Sequence, residues 1–274
     1  SFEACQFEDA VFDGGNLEGA TFKGCEFRNC SFKGSKLNGV DLSGSHFEKA
    51  DFSSASLYEA TFTHGHLTEC SFRSANLSKA SLSWTHVRGS DFTGAVLTVT
   101  DFARARIADS ILNSAVLPGR NNWFVTSPTT FGGASLFQIN LEGLDFSKKK
   151  VSLRQAELEE VSLRRATLDN VDMDHCKITN CDLSGASFRQ TRLESAEISF
   201  SRCSYCDFYF TRLGDAKISD TDLTGADLKH VSRITGSRWG ESTEETRFTR
   251  IQFDESTIWP QDFDPPPSTP LADR

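Results

Sequence analysis

Three evenly spaced histidines are the side chains in this sequence most suited to chemistry. His46, His66 and His86 each stand one position before a large apolar residue, and Glu26 and Arg106 extend the series at the same interval. Neighbouring imidazoles bind a transition metal if their rings turn toward one another, and they also form a pH-sensitive column. An exposed polar column of stacked rings needs no ligand. We favour this last interpretation and predict no metal site.

A pair of cysteines has the spacing of redox and zinc sites. Cys203 and Cys206 form a CxxC motif, but the repeat described below places both side chains inside the fold. We expect all eight cysteines to behave as small buried hydrophobes in the reduced state. The sequence contains no recognisable Ser/His/Asp set, phosphate-binding glycine loop or pair of carboxylates with a pocket. We therefore predict a protein that is not an enzyme and uses no cofactor.

A pentapeptide periodicity must position these side chains. A large apolar residue occupies every fifth position from Phe2 to Leu117, which is 24 positions without a miss. The pattern resumes from Phe131 to Phe146 and, after a slip of two positions, from Leu153 to Leu228. The residue two places earlier is usually Ala, Cys, Gly, Ser or Thr. A period of five fits neither a helix nor a strand, so it indicates a repeated supersecondary unit.

The repeat resembles that of the pentapeptide-repeat family. The segments Ala75-Asn76-Leu77-Ser78-Lys79 and Ala226-Asp227-Leu228 match the family's motif closely, and the likeness covers residues 1–228 with a weaker return at 248–258. The resemblance implies an all-β fold, a right-handed quadrilateral β-helix with four pentapeptides per coil. Both the large and the small residue of each repeat then point inward. The repeats make about eleven coils of this solenoid.

Equivalent positions of successive coils, four pentapeptides apart in the sequence, lie above one another in such a fold. Successive coils pair through backbone hydrogen bonds about 4.8 Å apart, and like side chains stack into ladders. We predict five segments in one domain: a first stack at 1–117, an inserted loop at 118–130, a second stack at 131–228, an irregular C-terminal cap at 229–264 and a disordered tail at 265–274. A packed coil leaves no cleft, so we expect a pocket only in the 118–130 loop.

Aromatic and basic side chains outside the inward register are the candidate partner contacts. Loops that project from a rigid scaffold commonly carry function, although the aromatic residues of the 118–130 loop could instead fold back over the helix side. Exposed aromatic residues also concentrate at binding hot spots. The candidates are Arg120, Trp123, Phe124, Trp84, His46, His66, His86, Tyr209 and Phe210.

The charge of the chain limits the partners that we expect. The net charge is −9 at pH 7, with lysine and arginine mixed in throughout, which argues against direct binding to nucleic acid or membranes. We predict a cytoplasmic scaffold that binds a protein partner, and the sequence leaves an end-to-end homodimer open. Some members of the family it resembles bind type II topoisomerases such as DNA gyrase and mimic duplex DNA, which gives a second hypothesis. A ligand-binding or enzymatic role built on the 118–130 loop is a third.

Overall fold

Short strands are the only regular secondary structure in the part of the chain that is described. The computed structural model describes residues 1–112, 115, 129–138, 141–147, 151–231, 246–261 and 263–270. The chain divides into two compact units. Unit 1 comprises Ser1–Asn140 with Lys148–Val151, and unit 2 comprises Leu141–Ser147 with Ser152–Arg274.

Each strand of unit 1 is very short. In chain order the strands are β1 (Phe2–Glu3), β2 (Gln6–Glu8), β3 (Phe22–Lys23), β4 (Glu26–Arg28), β5 (His46–Glu48), β6 (His66–Thr68), β7 (His86–Arg88), β8 (Arg106–Ala108), β9 (Thr129–Thr130) and β10 (Ser135–Phe137). Strands β2, β4, β5, β6, β7, β8 and β10 follow one another in a single parallel sheet.

Unit 2 repeats this arrangement. Its strands are β12 (Glu157–Glu159), β13 (Lys177–Thr179), β14 (Glu197–Ser199), β15 (Lys217–Ser219) and β16 (Arg247–Thr249), and they also form consecutive parallel neighbours. Strand β11 (Val151–Ser152) lies where the two units meet in the sequence.

The register of the pairing defines a four-sided coil. Phe27 pairs with Phe47, its counterpart one coil later. Three further pairings with the same offset follow along each coil, as in Ser31 with Asp51, Lys36 with Ser56 and Asp41 with Thr61. This confirms a parallel β-solenoid built from pentapeptides, whereas its right-handedness stays a prediction.

Tight turns make the corners of the coil. At the corner from Phe52 to Ala55, the Ala55 amide donates to the Phe52 carbonyl at 3.0 Å. Ser54 at this corner has φ of 57°, as the third residue of a type II turn requires. A non-glycine residue in this left-handed region costs about 1–2 kcal/mol, so the stacking of adjacent coils must offset that cost at many corners.

Stacked phenylalanines fill the core of unit 1. The ladder of Phe12, Phe32, Phe52, Phe72 and Phe92 has successive ring centroids 4.8, 4.8, 5.0 and 4.7 Å apart, with the rings nearly parallel. The last four of these side chains are fully buried. Small residues at the other inward position leave room for these rings, which confirms the predicted inward register.

One cysteine pair corrects the expectation of reduced thiols. Cys203 and Cys206 form a disulfide, because both occupy inward positions of one turn with Cα atoms 5.4 Å apart, within disulfide range. The other six cysteines are free, as predicted. Burial raises the pKa of the Cys70 thiol to about 12 and that of Cys181 to about 11, so these two thiols are unreactive at neutral pH.

The repeat returns after position 245 with one shift. Phe248 pairs with Ile218 and is buried, as the sequence predicts. Ile258, however, pairs with Asp227 at a side position and is 46% exposed, so the inward placement implied for it is wrong. One extra residue between Phe253 and Ile258 shifts the register by one position, so the residue after Ile258 points inward instead. This residue is Trp259, whose ring lies 5.4 Å from that of Phe248.

Residues 265–270, which the sequence predicts to be a disordered tail, contact the last coil. The Thr269 amide donates to the Ile251 carbonyl at 2.8 Å, and the Ser268 hydroxyl donates to the Phe253 carbonyl at 2.9 Å. Most of the predicted loop, at 118–128, and residues 232–245 of the predicted cap lie outside the described residues. The segment boundaries therefore stay predictions.

Candidate protein-interaction surfaces

The three evenly spaced histidines form a ladder on unit 1. Strands β5, β6 and β7 place His46 opposite His66 and His66 opposite His86. The ring centroids are 4.4 and 4.7 Å apart, with interplanar angles of 32° and 58°. Burial, followed by the charges of His46 and His86, lowers the pKa of His66. Among the described residues, no group of three or more His, Cys, Asp or Glu side chains is arranged to hold a metal ion.

A surface groove of about 350 Å³ runs beside this ladder. Its polar lining comes from Glu26, Arg28, His46, Glu48, His66 and Thr68. The groove corrects the expectation that a pocket forms only in the 118–130 loop, because long side chains on adjacent coils of a flat side enclose space between them.

An aromatic corner lies on unit 1 as well. His64, Trp84 and Arg104 occupy successive left-handed corners, with φ of 59°, 60° and 58°. The His64 and Trp84 rings stack at 5.9 Å, and the Arg104 guanidinium lies 4.7 Å from the centre of the Trp84 ring. Trp84 is nevertheless 48% exposed. We call the histidine ladder and this corner together the His–Trp surface.

Unit 2 carries a second exposed aromatic cluster. The Tyr209 and Phe210 rings lie 4.5 Å apart, and His230 lies 5.1 Å from the former and 5.7 Å from the latter. Tyr205 belongs to the same coil and is 68% exposed. Its ring covers Gly225 in the next coil so closely that a Cβ atom there would lie 2.5 Å from two ring carbons. We call Tyr205, Tyr209, Phe210 and His230 the Tyr–Phe surface.

Ion pairs follow a diagonal rule on both units. The cation is a lysine or arginine that directly follows a large inward residue. Its partner is the aspartate that directly precedes the equivalent large residue of the next coil, as in Lys33–Asp51 at 3.1 Å. Six carboxylates take such a cation: Asp41, Asp51, Asp91, Asp172, Asp182 and Asp207. Burial opposes ionisation of Asp51, but hydrogen bonds from Ser53 and the Lys33 ammonium hold its pKa below the ordinary value. These six aspartates are therefore neutralised within the molecule.

Lysine and glutamate side chains also alternate along the strands of unit 2. Lys177 lies 3.3 Å from Glu157, and Lys217 lies 2.7 Å from Glu197. These four side chains are largely exposed, so each pair contributes little to stability.

One carboxylate is buried. Asp174 has only 2% of its side chain exposed, and its Oδ2 accepts from Arg154 Nη1 at 3.0 Å. Arg192 Nη2 donates to the same oxygen, and the Glu194 amide donates to Oδ1 at 3.0 Å. Arginines from the coils on either side thus enclose this group, which the repeat alone does not predict.

The candidate contacts fall into three sets. The histidine ladder with Trp84, and Tyr209 with Phe210, are brought together as described above. Arg120, Trp123 and Phe124 lie outside the described residues. Sequence reasoning missed Arg104 and His230, although each stands exactly one coil after a candidate aromatic residue, at Trp84 and Phe210. That spacing was the signal that would have identified them.

Two family models match the sequence. The model of the pentapeptide repeat region matches residues 1–82. The model of pentapeptide repeats matches residues 75–113 and 149–185. No curated protein matches the sequence.

Several solved structures are similar to this chain. HetL from Nostoc sp. strain PCC 7120, a pentapeptide repeat protein involved in heterocyst differentiation regulation, is 21% identical over 92% of each chain, with a TM-score of 0.35. A pentapeptide repeat protein from the Arabidopsis thaliana thylakoid lumen is 32% identical over 35% of this chain and 68% of its own, with a TM-score of 0.35. Full-length QnrB1, a plasmid-mediated fluoroquinolone resistance protein, is 16% identical over 92% of this chain and 93% of its own, with a TM-score of 0.25. Likenesses at these TM-scores carry no argument about function.

The described residues contain no helix that is long and apolar enough to cross a membrane.

Proposed function

Since the chain belongs to the pentapeptide-repeat family, we propose that it is a non-enzymatic scaffold that binds a protein partner through exposed aromatic side chains. The His–Trp surface of unit 1 and the Tyr–Phe surface of unit 2 are the proposed contact sites. The 118–130 loop, with Arg120, Trp123 and Phe124, is a further proposed contact.

The placement of bulky aromatic residues at outward corners carries this proposal. The repeat directs most of its large apolar side chains inward, yet Trp84, Tyr205 and Phe210 occupy left-handed corners and remain 48%, 68% and 50% exposed. Large side chains rarely adopt this conformation, and exposed aromatic side chains gain little from folding. Tyr and Trp are enriched among the residues that dominate binding energy in protein interfaces. Contact with a partner accounts for their presence where folding does not.

The topoisomerase hypothesis makes a different demand on the surface. A mimic of duplex DNA must present a run of uncompensated negative charge. Lys23, Lys33 and Arg73 neutralise the aspartates beside them on unit 1, which favours the aromatic surfaces over DNA mimicry. A DNA gyrase supercoiling assay with and without a quinolone separates the two. We expect the supercoiling activity and its inhibition by the quinolone to stay the same when this protein is added, whereas protection of gyrase would support the alternative.

Affinity capture with matched variants tests the proposal. The wild type and the variants Trp84→Ala and Tyr209→Ala/Phe210→Ala serve as immobilised baits, and mass spectrometry identifies the retained proteins. Val11→Ala is the control, since Val11 is 73% exposed and lies in neither aromatic surface. We expect at least one protein to be retained by the wild type and the control and lost by an aromatic variant. Retention of the same proteins by all baits would contradict the proposal.

A further inference from the structure

Asp227, a carboxylate beside the Tyr–Phe surface, has no cation at the position from which the diagonal rule would supply one. Asp227 stands directly above Asp207 in the next coil. Asp207 receives Arg189 Nε at 2.5 Å from the preceding coil. The corresponding position for Asp227 is Tyr209. In the described part of the chain Asp227 makes no ion pair, and its recorded hydrogen bond is from the Lys229 amide to Oδ1 at 3.0 Å.

Like charges thus face each other across adjacent coils, and among the described residues only Asp207 has a cation beside it. Opposed like charges destabilise a sheet, so an external cation beside Asp227 would bind favourably. Asp227 is half-buried, and on the next coil it pairs with Ile258, which is exposed. Tyr205 borders Asp227 at one corner, and Tyr209 with Phe210 borders it at the other. When a partner covers such a rim, water is excluded from the charge interaction at its centre and that interaction is strengthened.

Arg189 shows which chemistry suits this position. Its guanidinium pairs with Asp207 and also lies 5.8 Å from the centre of the Tyr209 ring. A planar guanidinium can pair with a carboxylate while it lies against an aromatic ring. The same two groups, a carboxylate and an aromatic rim, are present at Asp227, and no arginine in the described ranges pairs with this carboxylate.

We propose that the Tyr–Phe surface binds an arginine-containing basic segment of a partner protein, with the arginine guanidinium seated on Asp227 between the aromatic rims. The incoming guanidinium pairs with the carboxylate of Asp227 as the protein's own cations pair with six other aspartates. This inference rests on the proposed partner-binding function and names the chemistry of one of its contact sites.

Binding of a fluorescein-labelled hexa-arginine peptide, followed by fluorescence anisotropy at near-physiological salt, tests the inference. Asp227→Asn removes the charge and keeps the acceptor for the Lys229 amide. Tyr209→Arg supplies the missing cation from within the chain. We expect each variant to weaken binding at least tenfold. Asp9→Asn is the control, because it makes the same charge change on an exposed residue of unit 1, and it should leave the affinity unchanged.

Three results would overturn the inference. The first is that the protein binds hexa-arginine no more tightly than hexa-glutamate. The second is that Asp227→Asn and Asp9→Asn weaken binding equally. The third is that Tyr209→Arg, with an unchanged circular dichroism spectrum, binds the peptide as tightly as the wild type. If alanine variants lose a captured partner while Asp227→Asn binds the peptide normally, the proposed function stands and this inference falls. If no partner is captured but the peptide results hold, this inference stands and the proposed function falls.

Discussion

Replacing the buried Asp174 carboxylate by an amide should destabilise unit 2. The Asp174→Asn variant keeps an acceptor for the Glu194 amide but removes the charge that Arg154 and Arg192 enclose. Breaking a buried ion pair by removing one partner costs about 3–5 kcal/mol. The two arginines are 42% and 43% exposed, and water screens them, so we expect a loss of about 2–3 kcal/mol in the free energy of unfolding.

Asp182→Asn is the matched control for this measurement. Asp182 also lies on unit 2, but its side chain is 27% exposed and its nearest guanidinium nitrogen, on Arg164, is 3.9 Å away. Such pairs contribute about 0–1 kcal/mol. Urea denaturation followed by circular dichroism compares the two variants with the wild type. Equal stability of Asp174→Asn and Asp182→Asn would refute the argument that enclosure by two coils makes Asp174 special.

Two further predictions concern the aromatic surfaces. Gly225→Ala should lower the free energy of unfolding, measured by urea denaturation, by about 1 kcal/mol more than Gly143→Ala. Both glycines have positive φ, but only a Cβ atom at position 225 would meet the Tyr205 ring. Equal losses would show that the ring moves freely. On acidification, His66 should bind its proton below its ordinary pKa of about 6.5. The unfolded chain then binds more protons at this site, so stability is lost as pH falls from about 6.5 through the lowered pKa. An NMR titration should show the pKa of His66 rising in His46→Gln. A pKa unaffected by that substitution would show that the charge of His46 does not act on His66.

The pentapeptide pattern was sufficient to predict the solenoid, because stacking requires the same residue class at each inward position. The register of the histidine ladder followed from the same arithmetic, since a coil of four pentapeptides places His46, His66 and His86 in line. The diagonal ion pairs were also readable from the sequence, because each cation directly follows one large residue and its aspartate directly precedes the large residue one coil later.

Features that depend on departures from the repeat could not be predicted in this way. Ile258 leaves the inward register because one residue is added to the last coil, and a period cannot indicate where such a residue is accommodated. The burial of Asp174 depends on arginines from two other coils folding over it. Tyr205 covers Gly225 because that corner lacks a side chain. The last two features depend on side-chain conformation rather than on position in the repeat.

Site-specific photo-crosslinking tests the scaffold proposal most directly. p-Benzoylphenylalanine replaces Phe210 in one sample, and in a second it replaces Gln155, an exposed left-handed corner of the same unit outside the Tyr–Phe surface. After irradiation in the native cell extract, mass spectrometry identifies the crosslinked proteins. We predict that a defined protein is crosslinked from position 210 and not from position 155. The same crosslinks from both positions, or none from position 210, would contradict the proposed role of the aromatic corners.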